Sequence, residues 1–224
     1  MAFKNYSFQS IQILLKVFLI ICFFLSANLV SANTEQENAM RAPVDELHNA
    51  LISIMQSAEE SAKKSDKTSS FEERYALLEK VIVENFNTPL ISRVVLSRYW
   101  KSLDEKTRTD FINLFNRLTI ATYVDRFDSY ENETFKHIAV EPMKKGRYLV
   151  KTELVQTDGD SVSFNYIVQS DNEKWKIISV IANGVNDLSL KRGEYSSVIK
   201  AQGFDALIEN IQKKIMDIHP NSSQ

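Results

Sequence analysis

Cysteine, glycine and histidine are scarce in this sequence, and each shortage argues against a class of chemistry. The 224 residues include one cysteine, five glycines and three histidines. A single cysteine, Cys22, cannot form an intrachain disulfide, and five glycines leave little material for a phosphate-binding loop. His48, His137 and His219 are far apart, and none has metal-ligand spacing to another His, Cys or Asp. We expect no metal site and no cofactor.

Catalytic patterns are also missing. No serine lies in a nucleophile-elbow sequence, and adjacent acids such as Glu59 and Glu60 point in different directions on a helix. Asp187, His137 and Tyr166 are the candidates for an acid and a base in a cavity, but their spacing forms no known motif. The sequence therefore favours a binding protein over an enzyme.

Charge and composition are ordinary. The formal net charge is −2, with 25% charged and 44% hydrophobic residues. This balance is typical of a soluble globular protein that can bury a core. A mildly acidic chain is a poor partner for nucleic acid, so we expect no nucleic-acid binding.

The first 32 residues differ from the rest. Lys4 and Lys16 carry positive charge, residues 17–25 form an unbroken apolar run, and Val30-Ser31-Ala32 offers small residues for a signal peptidase. The apolar run has about nine residues, against the ~20 that span a bilayer. We predict a signal peptide over residues 1–32, cleaved near Ala32, a single domain over residues 33–224, and a periplasmic location. An uncleaved membrane anchor is the alternative.

Helical spacing prevails up to about residue 130. Pro43 opens a helix with its apolar residues on one face, and Thr88-Pro89 starts another. Residues 70–73 (Ser-Phe-Glu-Glu) and 102–105 (Ser-Leu-Asp-Glu) match the capping box that begins a helix. The second box predicts the start of the longest helix, which should end near Tyr130.

Two-residue alternation then predicts four antiparallel strands, at about residues 135–140, 147–156, 161–169 and 174–182. Val162, Phe164, Tyr166 and Val168 should share one face of the third strand. The fourth strand is apolar on both sides, with Trp175, Ile177 and Ile181 on one face, which favours a central position in the sheet. Two helices follow, at about 188–201 and 204–218, separated by Gly203. The fold class is α+β, with helices followed by a curved four-stranded antiparallel sheet.

Large aromatic side chains are abundant. The chain has 13 Phe, 8 Tyr and 2 Trp. They either fill an ordinary core or line a cavity where a curled sheet separates from the helices. The residues by themselves leave both readings open.

Three segments resemble one family. Residues 91–130 contain an arginine-tyrosine-tryptophan helix end followed by a long helix with Phe111 and Phe115. Residues 173–185 contain "EKWKIISVIANGV", and residues 190–211 contain "LKRGEYSSVIKAQGFDALIENI". Together these segments resemble the toluene-tolerance or MlaC family of periplasmic phospholipid-binding proteins.

The resemblance implies a fold of the nuclear-transport-factor-like type with a lipid cavity between sheet and helices. It also implies a function: a soluble periplasmic carrier that binds phospholipid acyl tails and shuttles lipid between an inner-membrane ABC transporter complex and an outer-membrane lipoprotein complex. Such transport maintains the lipid asymmetry of the outer membrane.

The sequence departs from the family at a few positions. Asn186 and Asp187 replace the usual serine and leucine, and Lys191 stands where an aromatic is common. The last segment is closer to the branch associated with hopanoid biosynthesis. A hopanoid or another apolar molecule in the same cavity is therefore the alternative ligand.

The resemblance and the strand pattern together nominate site residues. The expected cavity wall consists of Trp100, Phe111, Phe115, Leu118, Tyr123, Tyr148, Val150, Phe164, Tyr166, Val168, Trp175 and Ile177. The expected partners of a lipid head group are Arg98, Arg126, Arg147 and Arg192, because guanidinium groups bind phosphate well.

Overall fold

A computed structural model describes residues 8–64 and 67–219, with side chains for residues 34–63 and 71–219. The predicted signal peptide, residues 1–32, lies outside the residues whose side chains are described. The chain divides into two compact units, residues 1–39 and residues 40–224. In the first unit the described backbone is helical from Phe8. Apart from the first helix, which begins in the first unit, all features below belong to the second unit.

The described elements run in the order helices, sheet, helices. The helices are α1 (Phe8–Lys64), α2 (Lys67–Asn85), α3 (Thr88–Leu96), α4 (Glu105–Arg126), α5 (Asp187–Gln202) and α6 (Phe204–Ile218). A short 3₁₀ helix, Ser97–Ser102, follows α3. The strands are β1 (Thr134–Met143), β2 (Arg147–Val155), β3 (Ser161–Asp171), β4 (Lys174–Ala182) and β5 (Val185–Asn186). The α+β class is confirmed.

Local hydrogen bonds explain where two of the helices begin. Asn87 caps α3 by accepting a bond from the Leu90 amide at 3.0 Å, and Pro89 stands in the first turn. The cap of α4 is Asp104, which accepts from the Thr107 amide at 2.8 Å. The capping-box prediction at residues 102–105 therefore placed the cap two residues early. The box at residues 70–73 was also misplaced, because α2 already begins at Lys67.

The sheet is antiparallel throughout, in the order β1-β2-β3-β4-β5. It has five strands instead of the predicted four, because Val185 and Asn186 pair back onto Ala182 and Ile181. β4 is not central, since only this two-residue strand lies beyond it. The link between α2 and α3 covers another part of its edge: Phe86 bridges to Ile177, and the Asn87 amide donates to the Ile177 carbonyl at 2.9 Å.

A β-bulge explains the irregular pattern of β4. Val168 pairs with Ile177 and Ile167 pairs with Ser179, which leaves Ile178 as an extra residue. The extra residue reverses the alternation, so Val180 and Ala182 join the face of Trp175 and Ile177. The prediction that Ile181 shares that face was wrong for this reason. The predicted shared face of β3 is confirmed: Tyr166 and Val168 are fully buried, and Val162 and Phe164 pack against the core.

Two aromatic clusters fill the interior. The first lies among helices only, where Phe111 and Phe115 of α4 meet Tyr195 of α5 and Phe204 of α6, with ring centroids 6.0–6.4 Å apart. The second lies between the helices and the sheet and is described below. Amphipathic α6 contributes Leu207, Ile211 and Ile215 to the core at four-residue spacing.

Candidate functional site

A cavity lies between β4 and the helices α2, α3, α4 and α5. The open space within it, including the solvent-filled space at its mouth, is about 470 Å³. Most of its lining is apolar. The residues that line it are Ile82, Phe86, Thr88, Ile91, Phe115, Thr119, Tyr123, Ile178, Ser179, Val180, Asp187, Leu188 and Lys191.

The polar end of this cavity is formed by the bulge of β4 and by the first turn of α5. Ser179 follows the extra residue of β4, and Asp187 and Lys191 lie one turn apart at the beginning of α5. Asn186 caps that helix by accepting from the Ser189 amide at 2.9 Å, which fixes its first turn. The Lys191 ammonium lies 3.6 Å from the Asp187 carboxylate.

The polar groups of the cavity differ in what they bind. Thr88 donates to the Asn116 side chain at 2.8 Å, and Thr119 donates to the Phe115 carbonyl at 2.8 Å, so both hydroxyls are engaged. Ser179 is buried, and within the described part of the chain its hydroxyl has no hydrogen-bond partner. A buried hydroxyl without a partner is costly.

Tyr123 connects the polar end to the interior. Burial raises the pKa of its hydroxyl well above the usual value, and the negative charge of Asp187 raises it further. The hydroxyl is therefore protonated at physiological pH and can donate a hydrogen bond. Its ring lies 6.5 Å from that of Phe86 and 5.9 Å from that of Phe127.

From Tyr123, a row of aromatic rings continues between the helices and the sheet. Phe127 contacts Phe164 at 6.2 Å between centroids, Phe164 contacts Phe135 at 6.2 Å, and Phe135 stacks on His48 at 3.7 Å. We call Phe86, Tyr123, Phe127, Phe164, Phe135 and His48 the aromatic row. It runs from the cavity past β3 to the edge strand β1 and to α1.

The far end of the aromatic row carries a buried polar pair. His48 Nε2 and the Tyr166 hydroxyl are joined by a hydrogen bond of 3.1 Å. Burial lowers the pKa of His48 to about 3, with a smaller contribution from nearby His137, so its imidazole is neutral at pH 7. Burial likewise raises the pKa of Tyr166. Two neutral groups thus satisfy each other inside an apolar layer.

Of the twelve residues nominated from the sequence for the cavity wall, Phe115 and Tyr123 line this cavity. Another group lies on the inner face of the sheet, as the strand register shows: Tyr148, Val150, Phe164, Tyr166, Val168, Trp175 and Ile177. Phe111 packs among helices, Leu118 is buried in the core, and half-buried Trp100 packs against Arg108. The nominated residues therefore divide between the cavity, the inner face of the sheet and the helical core.

None of the four nominated arginines lines the cavity. Arg98 donates to the Tyr99 hydroxyl at 3.0 Å, and Arg147 donates to the Gln169 side chain at 3.4 Å. Arg126 and Arg192 are exposed. The cation in the lining is Lys191, which was not nominated. An opposite-charge pair at four-residue spacing at a helix start, Asp187 and Lys191, was the signal available in the sequence.

Three further features concern metal ligands, membrane-spanning helices and the acid–base candidates. Among the described residues, no group of three or more His, Cys, Asp or Glu side chains could hold a metal ion. Within the same residues, no helix combines the length and the apolar character that crossing a membrane requires. Of the three candidates for acid–base chemistry, His137 and Tyr166 lie on the inner face of the sheet, whereas Asp187 lies at the cavity.

The order of the elements and their pairing define an α+β protein in which helices lie beside an open antiparallel sheet, with a mainly apolar pocket at β4. A profile of the MlaC protein family matches residues 45–213, which is most of the chain. The chain belongs to this family.

A solved structure shares the fold. The chain is similar to the phospholipid-binding protein from Ralstonia solanacearum, which was solved in complex with a phospholipid. The TM-score is 0.67 at 16% sequence identity, and the match covers 81% of this chain and 97% of that one. At this identity the likeness establishes a common architecture.

Proposed function

We propose that this protein is a periplasmic phospholipid carrier that performs no covalent chemistry. It binds acyl tails in its apolar interior and moves lipid between an inner-membrane ABC transporter complex and an outer-membrane lipoprotein complex. This transport would maintain the lipid asymmetry of the outer membrane. The observation that carries the proposal is an apolar cavity leading to the aromatic row in a chain of the MlaC family.

A carrier must cover the tails almost completely. Each methylene moved from water into an apolar site contributes about 0.8 kcal/mol, so an exposed tail of about 15 carbons costs roughly 12 kcal/mol. A lining rich in Ile, Phe and Val makes few directional bonds, which lets the lipid leave for a bilayer of similar polarity. The cavity would be the entrance, and the tails would extend along the aromatic row by displacing its rings.

The direct test is extraction of the protein after export. We expect organic solvent to release phospholipid from the purified protein, and mass spectrometry to identify it. A fluorescent phospholipid should bind to the delipidated protein. Absence of both signals would refute the carrier function. A hopanoid mass in the extract would replace phospholipid with the alternative ligand.

A matched pair of substitutions tests the position of the site. Val180 is half-buried and lines the cavity, so Val180→Trp should fill it and lower phospholipid occupancy several-fold. Val83 is 53% exposed on α2 and does not line the cavity, so Val83→Trp adds the same ring at a remote surface. Equal occupancy in the two variants would place the tails elsewhere.

A further inference from the structure

The antiparallel sheet places its turns at two opposite ends, and the two ends differ in charge. The turns after β1 and β3 lie at one end, and the turns after β2 and β4 lie at the other. We call residues 142–148 and 170–176 the basic end, because they carry five cations and two acids. The opposite end, residues 153–162 and 180–187, carries four acids and no Lys or Arg. Strand pairing thus gathers positive charge from two hairpins in a chain whose formal net charge is −2.

The strand register brings cations of the two hairpins onto one face of the sheet. Met143 pairs with Arg147. Arg147 pairs with Gln169, which in turn pairs with Lys176. Directly paired residues point to the same face, so these side chains form one row across four strands, with Arg147 and Lys176 roughly 10 Å apart. The other cations of the basic end are exposed in or beside the turns: Lys144, Lys145 and Lys174.

Nearby acids do not cancel this charge. Asp171 accepts a hydrogen bond from the Asn87 side chain at 3.2 Å, and Glu173 is exposed in the turn after β3. Glu141, one residue outside the basic end, lies 2.6 Å from the Lys151 ammonium and is balanced by it. Five cations against two acids leave an excess of three positive charges at the basic end.

Apolar and aromatic side chains flank these cations. Tyr148 and Trp175 meet edge to face with ring centroids 5.4 Å apart, and both are half-buried. Met143, in the row with Arg147, is 42% exposed. Tyr and Trp favour the boundary between water and lipid, because each ring has an apolar body and a polar group. Cations gain from the negative potential of a membrane that contains anionic lipid. The basic end therefore combines the two kinds of group that suit a layer of lipid head groups.

We infer that the basic end is a docking surface for membranes that contain anionic lipid. Its cations lie against the lipid phosphates, and Met143, Tyr148 and Trp175 lie beside the head groups. A protein interface usually takes about 20–30 residues a side, more than the two short stretches of the basic end, which favours a lipid surface over an acidic protein. The inference goes beyond the proposed function and does not depend on it, because a protein can dock on a membrane without carrying lipid.

The experiment is co-sedimentation of the purified exported protein with sucrose-loaded vesicles. One set of vesicles is pure phosphatidylcholine, and the other contains one third phosphatidylglycerol. At low salt we expect the partition coefficient to be roughly a hundredfold higher for the anionic vesicles, the effect of three excess positive charges near the surface. High salt should abolish this difference, because it screens exposed charges.

Two double variants test the two hairpins separately. Lys144→Gln with Lys145→Asn removes two charges from the first hairpin, and asparagine tolerates the φ of +66° at position 145. Lys174→Gln with Lys176→Gln removes two charges from the second hairpin. Each variant should bind anionic vesicles roughly thirtyfold more weakly than the wild type. Because the pairs are independent, a folding defect in one leaves the other as a test.

A third double variant is the matched control. Lys106→Gln with Lys213→Gln also removes two positive charges, but from exposed positions on α4 and α6. It has the same net charge as each hairpin variant, and it should bind like the wild type. Melting curves followed by circular dichroism verify that all three variants are folded. Any effect of the N-terminal segment is common to all of them.

The outcomes are distinct. Equal wild-type binding to both kinds of vesicle, or equal weakening in the control and the hairpin variants, refutes the docking surface. Weakening in only one hairpin variant refutes joint contact by the two hairpins. Co-sedimentation counts protein that stays on the vesicle, whereas a carrier that has taken up lipid remains in the supernatant. A protein that releases lipid on extraction but does not sediment refutes the docking surface and leaves the carrier function standing; the reverse result does the opposite.

Discussion

Acid should destabilise this protein through His48, a residue in the interior between α1 and the sheet. The side chain is 6% exposed, and burial lowers its pKa to about 3 from an ordinary value near 6.5. The unfolded chain therefore takes up a proton at this position as the pH falls below 6.5, while the folded protein does not. The contribution of His48 to the free energy of unfolding is fully present above pH 6.5 and is lost progressively as the pH falls towards 3.

The size of the effect follows from the pKa difference. One pKa unit corresponds to about 1.4 kcal/mol, so His48 should remove about 2 kcal/mol from the free energy of unfolding between pH 7.5 and pH 5. Domains of this size have ~5–15 kcal/mol of stability in total, so the loss is measurable. Because His137 contributes to the lowered pKa of His48, a comparison with a variant is needed to isolate His48.

The variant that isolates it is the double substitution His48→Phe with Tyr166→Phe. It keeps both rings, including the stack of residue 48 on Phe135, and removes both partners of the 3.1 Å hydrogen bond together. Removing both partners avoids an unpaired buried group. Urea unfolding followed by circular dichroism at pH 7.5, 6 and 5 gives the free energies. If the wild type and the double variant lose equal stability over this range, the assignment to His48 is wrong.

Other predictions concern the packing and the local geometry around the site. Phe111→Ala should cost about 3–5 kcal/mol in urea unfolding, because Phe111 is 1% exposed among Phe115, Tyr195 and Phe204, whereas Leu190→Ala, on an exposed residue of α5, should change little. Asn87→Ala should cost about 1–2 kcal/mol, since it removes the cap of α3 and a 3.2 Å bond donated to Asp171; an unchanged midpoint would contradict the capping role. Gly203→Ala should cost about 1–3 kcal/mol from backbone strain alone. At this position φ is +92°, which strains any residue with a Cβ. An added Cβ would meet no atom within 4 Å, so a steric clash would not contribute to the loss of stability.

The sequence determined the succession of elements after residue 80 closely, because the signals are local. The predicted strand at residues 174–182 has the observed bounds of β4, and the helices predicted at 188–201 and 204–218 differ from α5 and α6 by at most one residue at each end. Turn residues, caps and the alternation of apolar side chains act over a few residues, so they can be read without knowing the fold. The resemblance in three segments also pointed to the family to which the chain belongs.

Only the tertiary structure decided which surfaces meet. Phe111 of α4 packs against α5 and α6, whereas Phe127, just after the end of α4, packs against the sheet, and nothing in the local sequence distinguishes the two environments. The bulge at Ile178 depends on the pairing register of β4 with β3. The sequence alone therefore could not show on which face of the sheet Val180 lies. The cavity brings together Phe86, Phe115, Ser179 and Lys191, which lie far apart in the chain. Such sites depend on contacts between residues far apart in the chain, and those contacts are set by global packing instead of local propensity.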